Sequence, residues 1–242
     1  MQSSVYIALA AQRVMQNQLD TIANNVANMN TAGFRAESIK FDKLVSTSEA
    51  DGVTYPTIGK VIPSTAQGTL DRTGNPLDIA LSGPGWFAIE TPQGVAYTRD
   101  GRMKVDTFGE LRSIDGYPIL DAAQAPIVVN PAGGDLAVTT DGRIRQNDRI
   151  VGNIGVFELA DDAITTRYEN SAFLANTEGT PIALGSNTKV TQGFVENSNV
   201  DPISEMAHLI TVQRYFESLN ASIKDSEDSM ERTVREIGEP QA

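Results

Sequence analysis

The chain has 242 residues, of which 40% are hydrophobic, so it is long enough to bury a substantial core in one large or two small domains. Its formal net charge of −12 argues against binding to nucleic acid or to an anionic membrane, because both need a basic surface. The absence of cysteine excludes disulfides, thiolate metal sites and cysteine nucleophiles.

The N-terminal residues contain a short apolar run, from Val5 to Ala11, but Met1–Ser4 carry no basic side chain. A secretory signal peptide has a basic segment before its apolar run, so we expect no cleaved signal here. A membrane-spanning helix needs about 18 apolar residues in succession, and no stretch of the sequence approaches that length. We therefore expect no membrane insertion.

The first predicted element is a helix from Val5 to Met29, followed by Gly33 where a helix stop is expected. Positions three and four residues apart form one stripe along it, and most of them are apolar. The stripe consists of Val5, Ala8, Gln12, Met15, Leu19, Ile22, Val26 and Met29. Such a stripe predicts packing against another helix.

The remaining surface of this helix is rich in uncharged amides, because its only charged side chains up to Phe34 are Arg13 and Asp20. A solvated helix normally carries charges on its outer face, so the amides favour a helix enclosed by neighbours. A solvated face that merely lacks charge is the alternative. One hypothesis is that the segment orders only on assembly. In this hypothesis, three amide side chains become buried and set the lateral register between neighbouring subunits: Asn24, Asn25 and Asn28.

The middle of the chain changes to a period of two from about Leu70. Before it, residues 36–69 are predicted as an extended connector, rich in Ser, Thr, Gly and Pro from about Ser46 to Gly68. The strand candidates are Leu77–Leu81, Met103–Val105, Ile127–Val129 and Ile154–Leu159. Asp-Gly pairs at 100–101, 115–116 and 141–142 indicate hairpin turns. We therefore predict an antiparallel β domain over residues 70–199.

A second helix is predicted from Asp201-Pro202, an N-cap carboxylate followed by proline at the first helical position, to Gly238 and Pro240. Its stripe consists of Leu209, Val212, Phe216, Leu219, Ile223, Ser226, Met230, Thr233 and Ile237. The predicted class is α+β, with long N- and C-terminal helices in a coiled-coil-like pair flanking a mostly antiparallel β domain. Residues 1–35 and 200–242 form the helical assembly domain.

Sequence features typical of an enzyme are weak, and we predict no cofactor, no metal and no catalytic residue. His208 is the single histidine and has no partner for metal binding. Gly83–Ala88 matches the dinucleotide-binding glycine pattern, but it precedes a strand rather than a helix, so a tight turn is expected. Trp86 is expected to be a core anchor. Surface or loop roles are expected for Arg99-Asp100, Asp161-Asp162 and the acidic run Asp225, Glu227, Asp228 and Glu231.

Several motifs resemble the flagellar axial proteins, the family of rod and hook subunits. They are Ala23–Phe34, Thr73–Ala80, Gly83–Phe87, Ala96–Gly101, Gln192–Val200, Glu205-Met206 and Gln213-Arg214. The resemblance covers both ends and much of the middle, in the family's order. The departures are small: Val26 replaces the commoner leucine, and Tyr215-Phe216 stands where the family often has Ala-Tyr.

The resemblance implies a structural subunit of the basal-body rod that crosses the periplasm and transmits torque. Its partners would be copies of itself, other proximal and distal rod subunits, the flagellar type III export apparatus and the rod cap. Three features favour a proximal-rod subunit over a distal-rod or hook subunit. They are the short chain, proline before the pair Leu77-Asp78, and Trp86-Phe87 after the Gly-x-Gly. A soluble module that dimerises through its helices is the alternative outside the family.

Overall fold

The computed structural model describes residues 2–40, 43–45, 54–56, 60–160, 163–185 and 187–238. It confirms the α+β class, with a long helix near each end and antiparallel strands between them. The chain divides into two compact units. The helical unit comprises Met1–Ala27, Glu37–Pro63 and Asp201–Ala242. The β unit comprises Asn28–Ala36 and Ser64–Val200.

Helix α1 spans Gln2–Ala27, so it ends two residues before the predicted Met29. Asn28 begins a turn, in which Thr31 donates from its backbone nitrogen to the carbonyl of Asn28 at 3.0 Å. The hydroxyl of Thr31 also donates to the Asn28 side-chain oxygen at 3.1 Å. Short polar side chains compete in this way with the helical hydrogen bonds, which explains the early stop. Asn28 and Met29, predicted on the helix, therefore belong to the turn.

Helix α2 spans Pro202–Gly238, with the start and the end that the sequence predicts. The Asp201 carboxylate accepts a hydrogen bond from the backbone of Ile203 at 3.1 Å, which confirms the N-cap. The Asp201 carbonyl accepts from Glu205 at 3.0 Å and begins the helical pattern. Within the helical unit α1 and α2 pack against each other.

The predicted connector contains short strands: β1 (Glu37–Lys40), β2 (Lys43–Val45), β3 (Thr54–Pro56) and β4 (Lys60–Pro63). Strand β1 pairs with β4 and β2 with β3, both antiparallel. The two arms of this segment satisfy each other's backbone hydrogen bonds, which residue composition alone does not reveal. Much of the Ser46–Gly68 region, residues 46–53 and 57–59, lies outside the described residues.

The β unit is built from short strands. They are β5 (Leu70–Arg72), β6 (Ile79–Ser82), β7 (Trp86–Thr91), β8 (Gly94–Thr98), β9 (Met103–Val105), β10 (Leu111–Ser113), β11 (Leu136–Val138), β12 (Arg143–Gln146), β13 (Arg149–Asn153), β14 (Val156–Glu158), β15 (Ile164–Tyr168), β16 (Ala172–Ala175), β17 (Thr180–Pro181), β18 (Lys189–Gln192) and β19 (Phe194–Glu196). The largest sheet has the order β15-β16-β8-β7-β14-β17. Smaller sheets are β11-β12-β13, β9-β10, β6-β18 and β5-β19, and the named strands pair antiparallel.

The Asp-Gly predictions hold at two of three positions. Asp141-Gly142 connects the antiparallel pair β11 and β12, and Gly116 closes a turn by donating to Ser113 at 3.0 Å. Asp100-Gly101 instead leads from β8 in the large sheet to β9 in another. A Cβ at Gly101 would lie 1.6 Å from the carbonyl oxygen of Ile79, so this glycine permits close backbone packing. Residues 127–129, predicted as a strand, form an isolated bridge through Val128, and Ile127 and Val129 donate backbone hydrogen bonds to Ile119 and Gly109.

Two groups of buried side chains fill the β unit. The larger includes Ile79, Leu81, Phe87, Ile119, Ile144 and Ile154, and the smaller includes Trp86, Tyr97, Leu120, Phe157 and Phe173. The predicted core position of Trp86 is confirmed, since Trp86 is 8% exposed. Only three residues, 83–85, connect β6 to β7, and Gly83 and Gly85 both have positive φ, which agrees with the predicted tight turn. Asp161 and Asp162 lie outside the described residues.

Candidate functional site: the terminal helices and the junction of the terminal segments

The predicted assembly residues of the helices are covered only in part. Ile22 and Val212 are buried, with 5% and 6% of their surface exposed. The other described members of the two predicted stripes are half-buried: Gln12, Met15, Leu19, Val26, Met29, Leu209, Phe216, Leu219 and Ile223. Met230 lies on α2, and its side chain is outside the described part of the chain. Large apolar side chains elsewhere on the helices are exposed, among them Ile203 at 82% and Ile210 at 53%.

Asn25 joins three elements of the helical unit. Its amide nitrogen donates to the Glu37 carbonyl at 2.9 Å and to the Glu205 carboxylate at 3.2 Å. Its side-chain oxygen accepts from the Glu37 backbone nitrogen at 2.8 Å. Both amide hydrogens are therefore used within the chain, and Asn25 is 1% exposed. In this fold Asn25 connects α1, β1 and α2 of one molecule, and its role in lateral register between molecules stays a prediction.

The two other amides of the motif also have partners within the chain. Asn24 donates to the Glu37 carboxylate at 3.2 Å, and Asn28 accepts from Thr31 in the turn after α1. Asn24 and Asn28 are half-buried. His208 is exposed on α2, which fits a surface role.

The most constrained polar site lies in the β unit, where the segment after α1 meets the segment before α2. Gly33 donates from its backbone nitrogen to the Glu196 carbonyl at 2.8 Å. Gly33 has a φ of +68°, and a Cβ there would lie 2.2 Å from the backbone nitrogen of Asp100. Only glycine combines this left-handed conformation with such a close approach, which explains the glycine of the N-terminal motif.

Two buried arginines share one carboxylate at this junction. Arg35 Nη2 lies 2.7 Å from Glu196 Oε1, and Arg99 Nη1 lies 3.1 Å from Glu196 Oε2. The side chains of Arg35 and Glu196 are each 1% exposed, and that of Arg99 is 4% exposed. Glu196 Oε1 also accepts from the Gly68 backbone nitrogen at 3.0 Å. Charge-assisted bonds of this kind are strong when they are shielded from water.

Backbone carbonyls complete the surroundings of the two guanidinium groups. Arg99 donates to the Gly83 carbonyl at 2.8 Å, and Arg35 donates to the Ala66 carbonyl. Burial lowers the pKa of Arg99 to about 10; the charge of Glu196 opposes this effect and the charge of Arg35 adds to it. Burial lowers the pKa of Arg35 too, again against the attraction of Glu196. With a pKa of about 10, Arg99 stays charged near neutral pH.

A second set of bonds ties the same segments together. The Asn199 side chain accepts from the Ala36 backbone nitrogen at 2.7 Å and donates to the Ala66 carbonyl at 2.7 Å. Arg167 donates to the Arg35 carbonyl at 2.8 Å. Its guanidinium lies 4.1 Å from the ring centre of Phe34, a cation–π contact. The side chain of Arg35, its backbone and both neighbouring residues thus all have contacts that hold them in place.

Sequence reasoning missed this junction. Arg35 and Glu196 were not singled out, and Arg99 was assigned only to a loop. Arg99 and Asp100 do lie in the loop after β8, but they are buried, at 3% and 5% exposure. One signal was available: Arg35 directly follows the N-terminal motif Ala23–Phe34, and Glu196, which has the opposite charge, lies within the motif Gln192–Val200.

Among the described residues, no three His, Asp or Glu side chains come together as a metal site would require. Within the described ranges, neither helix has an apolar stretch long enough to cross a membrane.

Three protein-family models match the chain in order. "Flagella basal body rod protein" matches residues 6–35, "Flagellar hook protein FlgE/F/G D1 domain" matches residues 80–146, and "Flagellar basal body rod FlgEFG protein C-terminal" matches residues 191–236. The first ends at Arg35 and the last includes Glu196. Both terminal matches therefore extend beyond the helices into the junction.

Curated relatives match along nearly the whole length. The flagellar basal-body rod protein FlgF of Mesorhizobium japonicum is 44% identical over 238 residues, which cover 98% of this chain and 99% of the relative. FlgF of Rhizobium meliloti is 40% identical with the same coverage. FlgG of Bacillus subtilis is 30% identical over 257 residues, which cover 96% of this chain and 97% of the relative. The chain belongs to the family of flagellar basal-body rod proteins, in its FlgF branch.

Proposed function

We propose that this chain is a non-enzymatic structural subunit of the proximal rod of the bacterial flagellar basal body. It assembles through its terminal helices with copies of itself and with other rod subunits, proximal and distal, into the tube that transmits torque. The observation that carries this proposal is the incomplete burial of the helix stripes. The names of the FlgF relatives support the rod assignment.

Assembly would complete the burial that the paired helices leave unfinished. Full burial of a Leu, Ile or Phe side chain contributes about 1.5–3 kcal/mol, so a half-buried one has about half of that still to gain. The described half-buried stripe members, together with exposed Ile203 and Ile210, provide enough such positions to offset much of the ordering entropy. Helices packed side by side would then supply the stiffness of the rod.

The route to the rod is part of the proposal. The subunit leaves the cytoplasm through the flagellar type III export apparatus and is added under the rod cap, within the periplasm. Support for this comes from the family to which the chain belongs.

Charged substitutions in the helix stripes test the proposal. Leu19→Asp or Ile223→Asp should leave the β unit folded but abolish rod assembly and motility, because a carboxylate cannot be buried at a helix contact without a partner. Ser222→Asp is the matched control, since Ser222 is exposed beside Ile223. Motility and the recovery of intact basal bodies are the readouts, with Trp86 fluorescence reporting the β unit.

A motile strain carrying either stripe variant would contradict the proposal. Loss of assembly in Ser222→Asp as well would show that any added charge on the helix is harmful. The stripe variants would then no longer support burial of the stripe as the cause of assembly. Labelling the protein in isolated basal bodies locates it directly. A signal confined to the hook or the distal rod would overturn the proximal assignment.

A further inference from the structure

The junction in the β unit contains more positive than negative charge. Arg35 and Arg99 each contribute a buried guanidinium, and among the described residues Glu196 is the one carboxylate that pairs with either of them. Neither Nε atom has a hydrogen-bond partner among the described residues. Without Glu196, two like charges would be buried side by side with only carbonyl dipoles to compensate them.

The three members of this cluster come from distant parts of the chain. Arg35 follows α1, Arg99 follows β8, and Glu196 ends β19. The carboxylate that pairs with both arginines is therefore the last of the three in chain order. Until Glu196 is in place, closing the junction would bury uncompensated charge.

Residues 194–199, which we name the latch, also complete the backbone hydrogen bonds of the junction. Strand β19 pairs with β5, and the Asn197 backbone nitrogen donates to the Thr69 carbonyl at 2.8 Å. The Glu196 carbonyl accepts from Gly33, and Asn199 bridges Ala36 and Ala66. Gly68 packs directly on the latch, since a Cβ there would lie 2.0 Å from the Asn197 carbonyl oxygen. The latch therefore holds residues 33–36 and 66–72 together.

We propose that the latch, through Glu196, is the folding checkpoint of the β unit. By this we mean that the unit completes its fold only when Glu196 docks between Arg35 and Arg99. A chain that lacks the latch, or whose latch has not yet emerged, keeps the β unit open. The proposed function implies that the subunit is exported unfolded. If so, the latch would delay folding of the β unit until most of the chain has left the cytoplasm. Docking of the latch itself is testable on the purified chain, whatever its function.

Folding kinetics of the full-length chain test the checkpoint. Trp86 is the only tryptophan, and its ring lies 5.8 Å from the Arg35 guanidinium and 5.7 Å from that of Arg99, so its fluorescence reports closure. Glu196→Gln keeps the shape but removes the charge. We expect the folding equilibrium constant to fall about a hundredfold or more. Most of that factor should appear as slower refolding, because the latch docks in the rate-limiting step.

Glu178→Gln, an exposed glutamate in the same unit, is the control and should change neither rate. A triple variant, Arg35→Met with Arg99→Met and Glu196→Gln, removes every charge of the cluster. It should refold within about tenfold of the wild-type rate, since no buried charge then awaits a partner. If Glu196→Gln accelerates unfolding and leaves refolding unchanged, the latch docks after the unit has folded and the proposal is wrong.

Native-state hydrogen exchange on the unmodified chain covers the case in which Glu196→Gln does not fold. Asn197 lies in the latch, and Gly33 donates to it. The proposal expects these two amides to exchange with the same opening free energy as the Leu120 amide in the core, because the three open together. A sub-global opening that exposes Gly33 and Asn197 while Leu120 stays protected would overturn it.

Discussion

The helical unit and the β unit differ in how far each completes its own core. Among the described side chains of the two helices, only Ile22, Asn25 and Val212 are fully buried. The β unit buries large residues completely, including Tyr97, Phe87, Phe157 and Phe173 at 1% exposure or less. It also buries a charged cluster whose ions are paired within the chain. The β unit therefore has a buried core of its own, whereas the paired helices have half-buried stripes with apolar surface left to bury.

The comparison also separates the roles of the two family motifs. The N-terminal motif begins on α1 but ends at Phe34 in the β unit, where Gly33 meets Glu196. The motif Gln192–Val200 contains Glu196 itself and lies just before α2. Each motif thus contributes residues to the buried core of the β unit and also adjoins a helix whose apolar stripe is only partly buried. The predictions below test this contrast, from the largest expected effect to the smallest.

Phe157→Ala should destabilise the β unit by about 3–5 kcal/mol, because Phe157 is 0% exposed and packs edge-on against Tyr97 at 5.9 Å between ring centres. Phe108→Ala is the control: Phe108 is 85% exposed, and its loss should cost less than about 0.5 kcal/mol. Urea unfolding followed by Trp86 fluorescence measures both. Equal midpoints for the two variants would show that the β unit is not the finished core described above.

Gly33→Ala should destabilise the β unit by about 2–4 kcal/mol, because it combines backbone strain with overpacking against Asp100. Gly74→Ala is a close control, since Gly74 has a φ of +75° but open space where a Cβ would lie. It should cost only the strain, about 1 kcal/mol. The same urea titration applies. If the two alanine variants are equally stable, close packing at the junction contributes nothing.

Asn25→Ala should cost the helical unit about 1–3 kcal/mol, because the backbone of half-buried Glu37 loses two hydrogen bonds to the Asn25 side chain. Circular dichroism at 222 nm during urea unfolding measures the helices, and Trp86 fluorescence should show an unchanged β unit. Asn30→Ala, at an exposed position, should change neither signal. An Asn25→Ala variant with unaltered helix stability would remove Asn25 as the connection within the molecule.

Asp115→Asn should give the smallest effect, a slight stabilisation at pH 7. Burial, with the carboxylates of Glu169 and Asp100, raises the pKa of Asp115 above its ordinary value of 3.8. A carboxyl group whose pKa is raised by folding opposes folding once it ionises, so the benefit should grow as the pH rises through that pKa and vanish at pH 3. Thermal melts at both pH values test this, with exposed Asp135→Asn as the control. A benefit that persists at pH 3 would rule out ionisation as its cause.

The sequence predicted the features that depend on neighbouring residues. The three-four stepping of apolar residues gave both helices, and Asp201-Pro202 gave the start of α2, because caps and helical faces are set within a few positions. The alternation in the middle of the chain gave an antiparallel β domain, and Trp86 was expected in its core. The end of α1 was predicted less well, since a side-chain turn at Asn28 competes with the helix.

The tertiary structure alone decided which distant residues share a partner. The side chain of Asn199 binds the backbone of Ala36, 163 positions away, and Glu196 pairs with Arg35 and Arg99. Periodicity cannot predict such pairs, because it records only which face of an element is apolar. A buried ion cluster depends on where whole elements come together, and its strength comes from the exclusion of water at that place.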